Sequence, residues 1–178
     1  MEYEFDGKIP ENFKLSKPIE NGSYDLSIIY QLEREGRLII ERKRDGWKMF
    51  LLIDAAGKAH FYTDGLREID RYKVAHLIAE VEKAKLPPRS MLVGEAIPDS
   101  ENDDRGTVIG IMQGKKTDEV EENGAKLHFD LFNIIFWNGQ AVDTSYGNRL
   151  CRMREIVFYG LFKYINVIEQ LECTFDVA

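Results

Sequence analysis

Apolar residues recur at two different spacings along the chain, and these spacings predict its helices and strands. Apolar positions three or four residues apart predict helices over 25–35, 71–85 and 149–161. Runs rich in isoleucine, leucine and aromatic residues predict strands over 37–42, 47–53, 59–62, 90–97 and 126–136, with another strand beginning at 164. Turn residues separate the first three strands, which we expect to form an antiparallel meander. The order of elements predicts an α+β fold.

The segment between 99 and 124 is less regular. Acidic residues from Asp99 to Asp104 predict a loop, and the glycines and charges that follow predict a helix. Neither part indicates a function.

The composition is that of a globular protein. The chain has 178 residues, 44% hydrophobic and 31% charged, which predicts one domain with its own core. Its apolar runs are too short to cross a membrane and its start lacks the apolar segment of a secretory signal, so a cytoplasmic protein is expected. Cys151 and Cys173 are far apart and the histidines are scattered, so neither a disulfide framework nor a zinc site is predicted.

The net charge limits the possible partners. At a formal net charge of -7 the chain is acidic. This argues against a stand-alone nucleic-acid binder, because neutralising phosphates requires a basic surface. Any contact with nucleic acid is therefore expected to be local, or to be completed by other segments.

The strongest chemical signal is the segment Glu-Arg-Lys-Arg-Asp-Gly-Trp-Lys, from Glu41 to Lys48. In a strand that ends at Lys43, the period of two places Glu41 and Lys43 on one face, and Asp45-Gly46 provides turn chemistry. A lysine amine beside such a tight backbone could meet a nucleotide closely. To attack, the amine must be neutral, a state that desolvation and a neighbouring cation such as Lys48 favour. The alternative is a basic, solvated hairpin.

Two later segments carry candidate chemistry. Leu-Val-Gly-Glu-Ala, from Leu92, places Glu95 near a strand end, where a carboxylate could accept from ribose hydroxyls or bind Mg²⁺. The alternative is a simple Gly-Glu turn. Phe-Asn-Ile-Ile-Phe-Trp-Asn-Gly, from Phe132, is an aromatic strand closed by an Asn-Gly turn. Periodicity by itself favours core packing for Phe132.

In this order, the three segments resemble motifs I, III and IIIa of the covalent nucleotidyltransferases, which include DNA ligases, RNA ligases and mRNA capping enzymes. Motif I reads KxDGxR, motif III typically reads Leu-Asp-Gly-Glu, and the ligase motif IIIa reads approximately Phe-Asp-Leu-Leu-Tyr-Leu-Asn-Gly. The arrangement is most similar to ATP-dependent DNA ligases. There are two departures: Asp64 stands where ligases commonly have an arginine, and Asn133 replaces the usual aspartate.

The resemblance implies an α+β, antiparallel-sheet nucleotidyltransferase domain, ATP-grasp-like, that uses ATP and Mg²⁺. Lys43 would be the nucleophile that becomes linked to AMP, and Asp45 would act in the later steps. The product of the complete reaction would be a sealed nick in duplex DNA.

The resemblance also implies how nucleotide is bound. Glu41 and Phe132 would recognise adenine. Lys48 and Glu95 would contact the ribose and phosphates, and Glu95 would also bind the metal. These roles are implied only at positions that match the motifs.

No segment resembles ligase motifs IV or V. Residues 1–178 are therefore expected to form an incomplete adenylation domain that does not seal nicks alone. The implied partners are nicked double-stranded DNA, the rest of the adenylation domain and an oligonucleotide-binding domain. A monomer is expected, in the cytoplasm of the cell or, for a viral or phage protein, of its host.

Two alternatives remain open. An RNA ligase or mRNA capping-type enzyme would use the same lysine on a different polynucleotide end. RNA ligases often have serine after KxDG, whereas Trp47-Lys48 follows here, which favours the DNA-ligase form. The other alternative is an inactive binding domain of the same fold.

Overall fold

The chain, described here from a computed structural model over residues 4–9, 13, 25–98, 105–114 and 127–171, divides into two compact units. The first unit contains residues 1–8 and 44–167, and the second contains residues 9–43 and 168–178. The chain passes from one unit to the other at three peptide bonds, 8/9, 43/44 and 167/168, and the second of these joins Lys43 to Arg44. The assignment of the whole chain to one domain stays a prediction.

A six-stranded sheet forms the centre of the first unit. Its strands are β1 (Trp47–Ile53), β2 (Ala59–Thr63), β3 (Ser90–Pro98), β4 (Leu127–Trp137), β5 (Gln140–Ala141) and β6 (Ile165–Val167). The antiparallel order is β2-β1-β3-β4-β5, and β6 pairs with β4 in parallel. The predicted α+β fold is confirmed, and the sheet is antiparallel except at this last strand.

Three helices of the first unit contribute to one hydrophobic core. They are α2 (Ala75–Ala84), which follows a 3₁₀ turn at Arg71–Val74, α3 (Arg105–Gln113) and α4 (Tyr146–Gly160). Their buried positions recur at helical spacing, so each helix turns an apolar stripe to the sheet. The core residues they contribute are Leu77, Ile78, Val81, Val108, Met112, Leu150, Met153 and Ile156. The sheet contributes Met49, Leu51, Phe61, Leu92, Ala96, Phe129, Leu131 and Ile165.

Polar side chains connect the helices to distant loops. The Glu80 carboxylate on α2 accepts hydrogen bonds from the backbone amides of Lys163 at 2.9 Å and Tyr164 at 3.0 Å. Lys73 donates to the carbonyl of Met112 at the end of α3. These contacts satisfy backbone groups that a helix end or a turn would otherwise leave unpaired.

The second unit contains α1 (Leu26–Arg34), whose first turn is capped by Asp25 Oδ1 accepting from the Ser27 amide at 2.9 Å. The strand predicted over 37–42 is wrong: the structure has only an isolated bridge between Glu41 and Gln170 there. A single bridge makes too few backbone hydrogen bonds for a ladder. The predicted three-strand meander is therefore wrong as well, since β1 pairs with β2 and β3.

The remaining predicted elements agree with the structure within a few residues. The helix predicted between 99 and 124 is α3, whereas the acidic stretch Asp99 to Asp104 lies outside the described residues. Among the described helices, no segment has the length and apolar character needed to span a membrane.

Candidate functional site

A row of polar side chains crosses four strands on the face of the sheet opposite the helical core. It consists of Lys48, Glu95, Asp130 and Asn166, hereafter the polar row. Lys48 on β1 pairs with Glu95 on β3, Glu95 with Asp130 on β4, and Asp130 with Asn166 on β6.

Strand geometry explains how the polar row forms. Directly paired residues share a face of the sheet, and successive residues of a strand point to opposite faces. Each member of the row is next to a residue of the core, as Lys48 is to Met49 and Glu95 to Ala96. The row therefore lies on the face of the sheet opposite these core residues.

Two members of the polar row, Lys48 and Asp130, form ion pairs. Lys48 Nζ lies 2.8 Å from Asp64 Oδ1, just beyond the end of β2. Arg44 Nε lies 3.2 Å from Asp130 Oδ2, and Asn166 Nδ2 lies 3.4 Å from Asp130 Oδ1. Of the three carboxylates Asp64, Glu95 and Asp130, two are therefore in ion pairs: Asp64 with Lys48, and Asp130 with Arg44.

The backbone before β1 approaches β3 closely. The Gly46 amide donates to Glu95 Oε1 at 3.1 Å. A Cβ at Gly46 would lie 2.1 Å from the carbonyl oxygen of Ala96, so only glycine fits this approach. Asp45, one residue earlier, is exposed, and its Oδ1 lies 3.7 Å from Arg105 at the start of α3.

Burial affects the two carboxylates of the polar row. Loss of solvent raises the pKa of Glu95 above its ordinary value, and the hydrogen bond from Gly46 partly opposes this. Loss of solvent also raises the pKa of Asp130, which is only 3% exposed, and the charge of Arg44 opposes it. Both groups are thus costly to keep ionised without a cationic or hydrogen-bonding partner.

Phe132 lies at a bulge in β4. Asn133 pairs with Val93 and Leu131 pairs with Gly94, so Phe132 is an extra residue between them. Leu131 is buried in the core, whereas Phe132 is partly exposed. Bulges change the direction of a side chain and are common beside active sites. The periodicity of two, which favoured core packing, fails here because the bulge interrupts it.

Glu41 and Lys43 belong to the second unit. Glu41 Oε1 accepts from Gln170 Nε2 at 3.2 Å, beside the backbone hydrogen bond from Arg42 to Glu169. Lys43 is exposed and has no regular secondary structure. The structure thus brings Asp45, Lys48 and Glu95 together within the first unit, with Phe132 on the adjoining β4.

Among the described residues, no group of three or more His, Cys, Asp and Glu side chains is arranged to hold a metal ion. Glu95 as a metal ligand therefore stays a prediction, in which other oxygens would complete the coordination.

Sequence reasoning missed Arg44, Asp130 and Asn166. A signal existed for Asp130, because it is the one acidic residue in the apolar run from Leu127 to Trp137. Its partners could not be read from the sequence, since Arg44 and Asn166 are distant along the chain.

Comparison with known proteins identifies the fold. No family model matches the chain, and no curated protein matches it. Among solved structures, it is similar to the ATP-dependent DNA ligase from bacteriophage T7 in complex with ATP, with 21% identity, a TM-score of 0.59 and coverage of 86% of this chain and 54% of that one.

Two mycobacterial structures are also similar. The ligase domain of M. tuberculosis LigD matches with 18% identity, a TM-score of 0.57 and coverage of 76% of this chain and 41% of that one. A mycobacterial DNA ligase D in complex with ATP and MES matches with 19% identity and a TM-score of 0.55. The chain has the fold of a DNA-ligase nucleotidyltransferase domain, and it spans about half the length of these structures or less.

Proposed function

We propose that this chain is the adenylating part of an ATP-dependent DNA ligase, in which Lys43 forms a covalent bond to AMP. The observation that carries the proposal is the polar row: Lys48 and Glu95 pair across β1 and β3 beside Gly46, in a chain with the ligase fold. The motif that contains Lys43 runs directly into this row.

The groups of the first unit suit a nucleoside phosphate. Glu95 offers carboxylate oxygens to ribose hydroxyls, and Lys48 offers a cation to phosphate oxygens. Glycine at position 46 lets the backbone before β1 approach β3, so that its amide holds the Glu95 carboxylate in place. Phe132 offers a partly exposed ring on which a base can stack. Glu41 is proposed as a second contact to adenine.

The proposed reaction has three steps. The neutral Lys43 amine attacks the α-phosphorus of ATP, a phosphoramidate bond forms, and pyrophosphate leaves. AMP then passes to the 5′-phosphate at a nick, and the 3′-hydroxyl displaces AMP to join the strands. Asp45 is proposed to act in these later steps. The protein mainly positions the groups and stabilises developing charge.

Mg²⁺ would shield the phosphates during the first step, with Glu95 as a protein ligand. Glu95 is the carboxylate of the polar row that is not in an ion pair, because Asp130 is paired with Arg44. Any further ligands would come from ATP oxygens and water.

The test is covalent labelling of Lys43. We expect incubation with α-labelled ATP and Mg²⁺ to produce a labelled protein that survives denaturation, and Lys43→Ala to abolish the label. Lys43→Arg is not expected to restore it, because a guanidinium stays protonated. Lys58→Ala, on the β1–β2 turn, is the matched control and should keep the label.

A label that persists in Lys43→Ala, in protein free of other ligases, would show that the nucleophile is wrong. If the chain binds ATP but is not labelled, the inactive binding domain is the better account. Comparison of nicked DNA with nicked RNA as acceptors for the bound AMP distinguishes the DNA-ligase assignment from an RNA ligase.

A further inference from the structure

Among the described residues, Asp130, in the middle of β4, is the one charged residue that is buried. Both of its sequence neighbours, Phe129 and Leu131, are core residues, and its side chain is 4% exposed. A carboxylate buried in a sheet is costly unless charges and hydrogen bonds compensate it. Arg44 approaches one oxygen and Asn166 the other.

Arg44 occupies a special place in the chain. It follows Lys43 directly and precedes Asp45-Gly46, in a segment without regular secondary structure. Its side chain is nevertheless only 17% exposed, because it reaches the middle of the sheet. The ion pair therefore ties this irregular segment to β4.

A second tie lies two residues further on. The Gly46 amide donates to Glu95 on β3, the strand next to β4. The ion pair to β4 and the hydrogen bond to β3 together restrict the backbone of residues 44–46 more than either contact alone. The lack of space for a side chain at Gly46 limits that path further.

Stability by itself is a poor explanation for the Arg44–Asp130 pair. Replacing a buried ion pair with apolar residues of similar size is often neutral or stabilising. What an ion pair adds is a defined distance between its groups, here 3.2 Å between Arg44 Nε and Asp130 Oδ2. Only one peptide bond separates Arg44 from Lys43, so a fixed Arg44 backbone leaves Lys43 few torsions to vary.

We propose that Asp130, acting through Arg44, is a positioning residue that fixes the backbone next to Lys43 for nucleotide transfer. The activity part of this inference rests on the proposed function. Misplacement of reacting groups by about 1 Å can slow a reaction about 100-fold, so a backbone tether at this position matters more for rate than for affinity.

The first experiment measures the rate of AMP attachment to the full chain over a range of ATP concentrations. We expect Asp130→Asn and Arg44→Met each to lower the maximal rate constant about 10- to 100-fold, with the half-saturating ATP concentration changed less than about 3-fold. Their combination should be no slower than the slower single variant, because both remove one contact. Glu82→Gln, which removes the carboxylate of the exposed Arg71–Glu82 pair at 3.4 Å, is the control and should leave the rate unchanged.

An apolar double variant separates positioning from stability. Arg44→Met with Asp130→Leu leaves no buried charge without a partner, so we expect it to fold with near-native thermal stability and still react about 10- to 100-fold more slowly. If this variant has both native stability and a native rate, the positioning role is refuted. Equal rates in wild type and both single variants would refute it too.

Hydrogen exchange measures how firmly the Arg44–Asp130 pair holds the segment, and it needs no reaction with ATP. If wild-type protein forms no AMP adduct, that result counts against the proposed function, while hydrogen exchange still tests the role of Asp130. We expect the amides of residues 44–47 to exchange at least about 10-fold faster in Asp130→Asn than in wild type, while those of β2 are unchanged. Unchanged exchange at 44–47 would show that the pair does not hold the segment.

Discussion

Replacement of Gly46 by alanine tests the close approach that shapes the candidate site. The added Cβ would lie 2.1 Å from the Ala96 carbonyl oxygen and 2.9 Å from Glu95 Cγ. Carbon and oxygen do not approach this closely without a bond, so the backbone at Gly46, just before β1, must move away from β3 by about 1 Å. Such a shift would also lengthen the hydrogen bond from Gly46 to Glu95.

The expected loss of stability has two parts. Forcing an extra carbon into a packed site costs about 1–3 kcal/mol. Losing the hydrogen bond to a buried carboxylate costs about 1–2 kcal/mol more. We therefore predict that Gly46→Ala lowers the free energy of unfolding by about 2–5 kcal/mol.

Gly110→Ala is the matched control. Gly110 lies inside α3, and a Cβ there would meet nothing within 4 Å. Because alanine is the better helix former, this variant should be more stable by about 0.5–1 kcal/mol.

Urea unfolding followed by tryptophan fluorescence measures both variants, since Trp47 is adjacent to Gly46 and Trp137 ends β4. The comparison requires equal slopes of free energy against urea. If Gly46→Ala is as stable as Gly110→Ala, the described contact between Gly46 and β3 is wrong, and with it the geometry of the site.

Three further predictions concern the site and its substrate. Phe132→Leu should weaken ATP binding by about 1–3 kcal/mol if the ring stacks on adenine, and unchanged affinity in a titration would favour core packing instead. Because burial raises the pKa of Glu95, the native state keeps the Glu95 proton to higher pH than the unfolded chain does, and the stability of wild type falls as pH rises from about 4.5 through the raised pKa. Glu95→Gln should therefore be more stable than wild type at neutral pH, and the difference in stability should disappear below about pH 4.5. A difference that does not depend on pH would contradict this. Residues 1–178 alone should not seal nicked duplex DNA, because a net charge of -7 repels phosphates, and sealing that depends on Lys43 would overturn the expectation.

Local sequence determined most of the secondary structure and the order of the motifs. Helical spacing predicted α1, α2 and α4, and the aromatic run predicted β4, because an amphipathic stripe depends on residues that are near one another in the chain. The KxDG pattern, the Gly-Glu pair and the Asn-Gly turn likewise depend on short spacings. These features carry the ligase resemblance, which requires no knowledge of tertiary contacts.

Tertiary structure determined the features that depend on partners distant in the sequence. The apolar run at 37–42 has strand composition, yet it forms one bridge with Gln170, because a strand needs a partner long enough to share a ladder. The bulge at Phe132 likewise depends on how β4 meets β3, and so does the exposure of its ring.

The polar row is the clearest case of a feature that only tertiary structure could supply. Lys48, Glu95 and Asp130 come from three distant segments, and strand register aligns them. A shift by one residue would turn any of them into the core, so register is determined by burial of the whole sheet and not by the residues themselves. The sequence contained Arg44 and Asp130 as two separate charges, and the fold made them an ion pair because burying Asp130 requires a compensating cation.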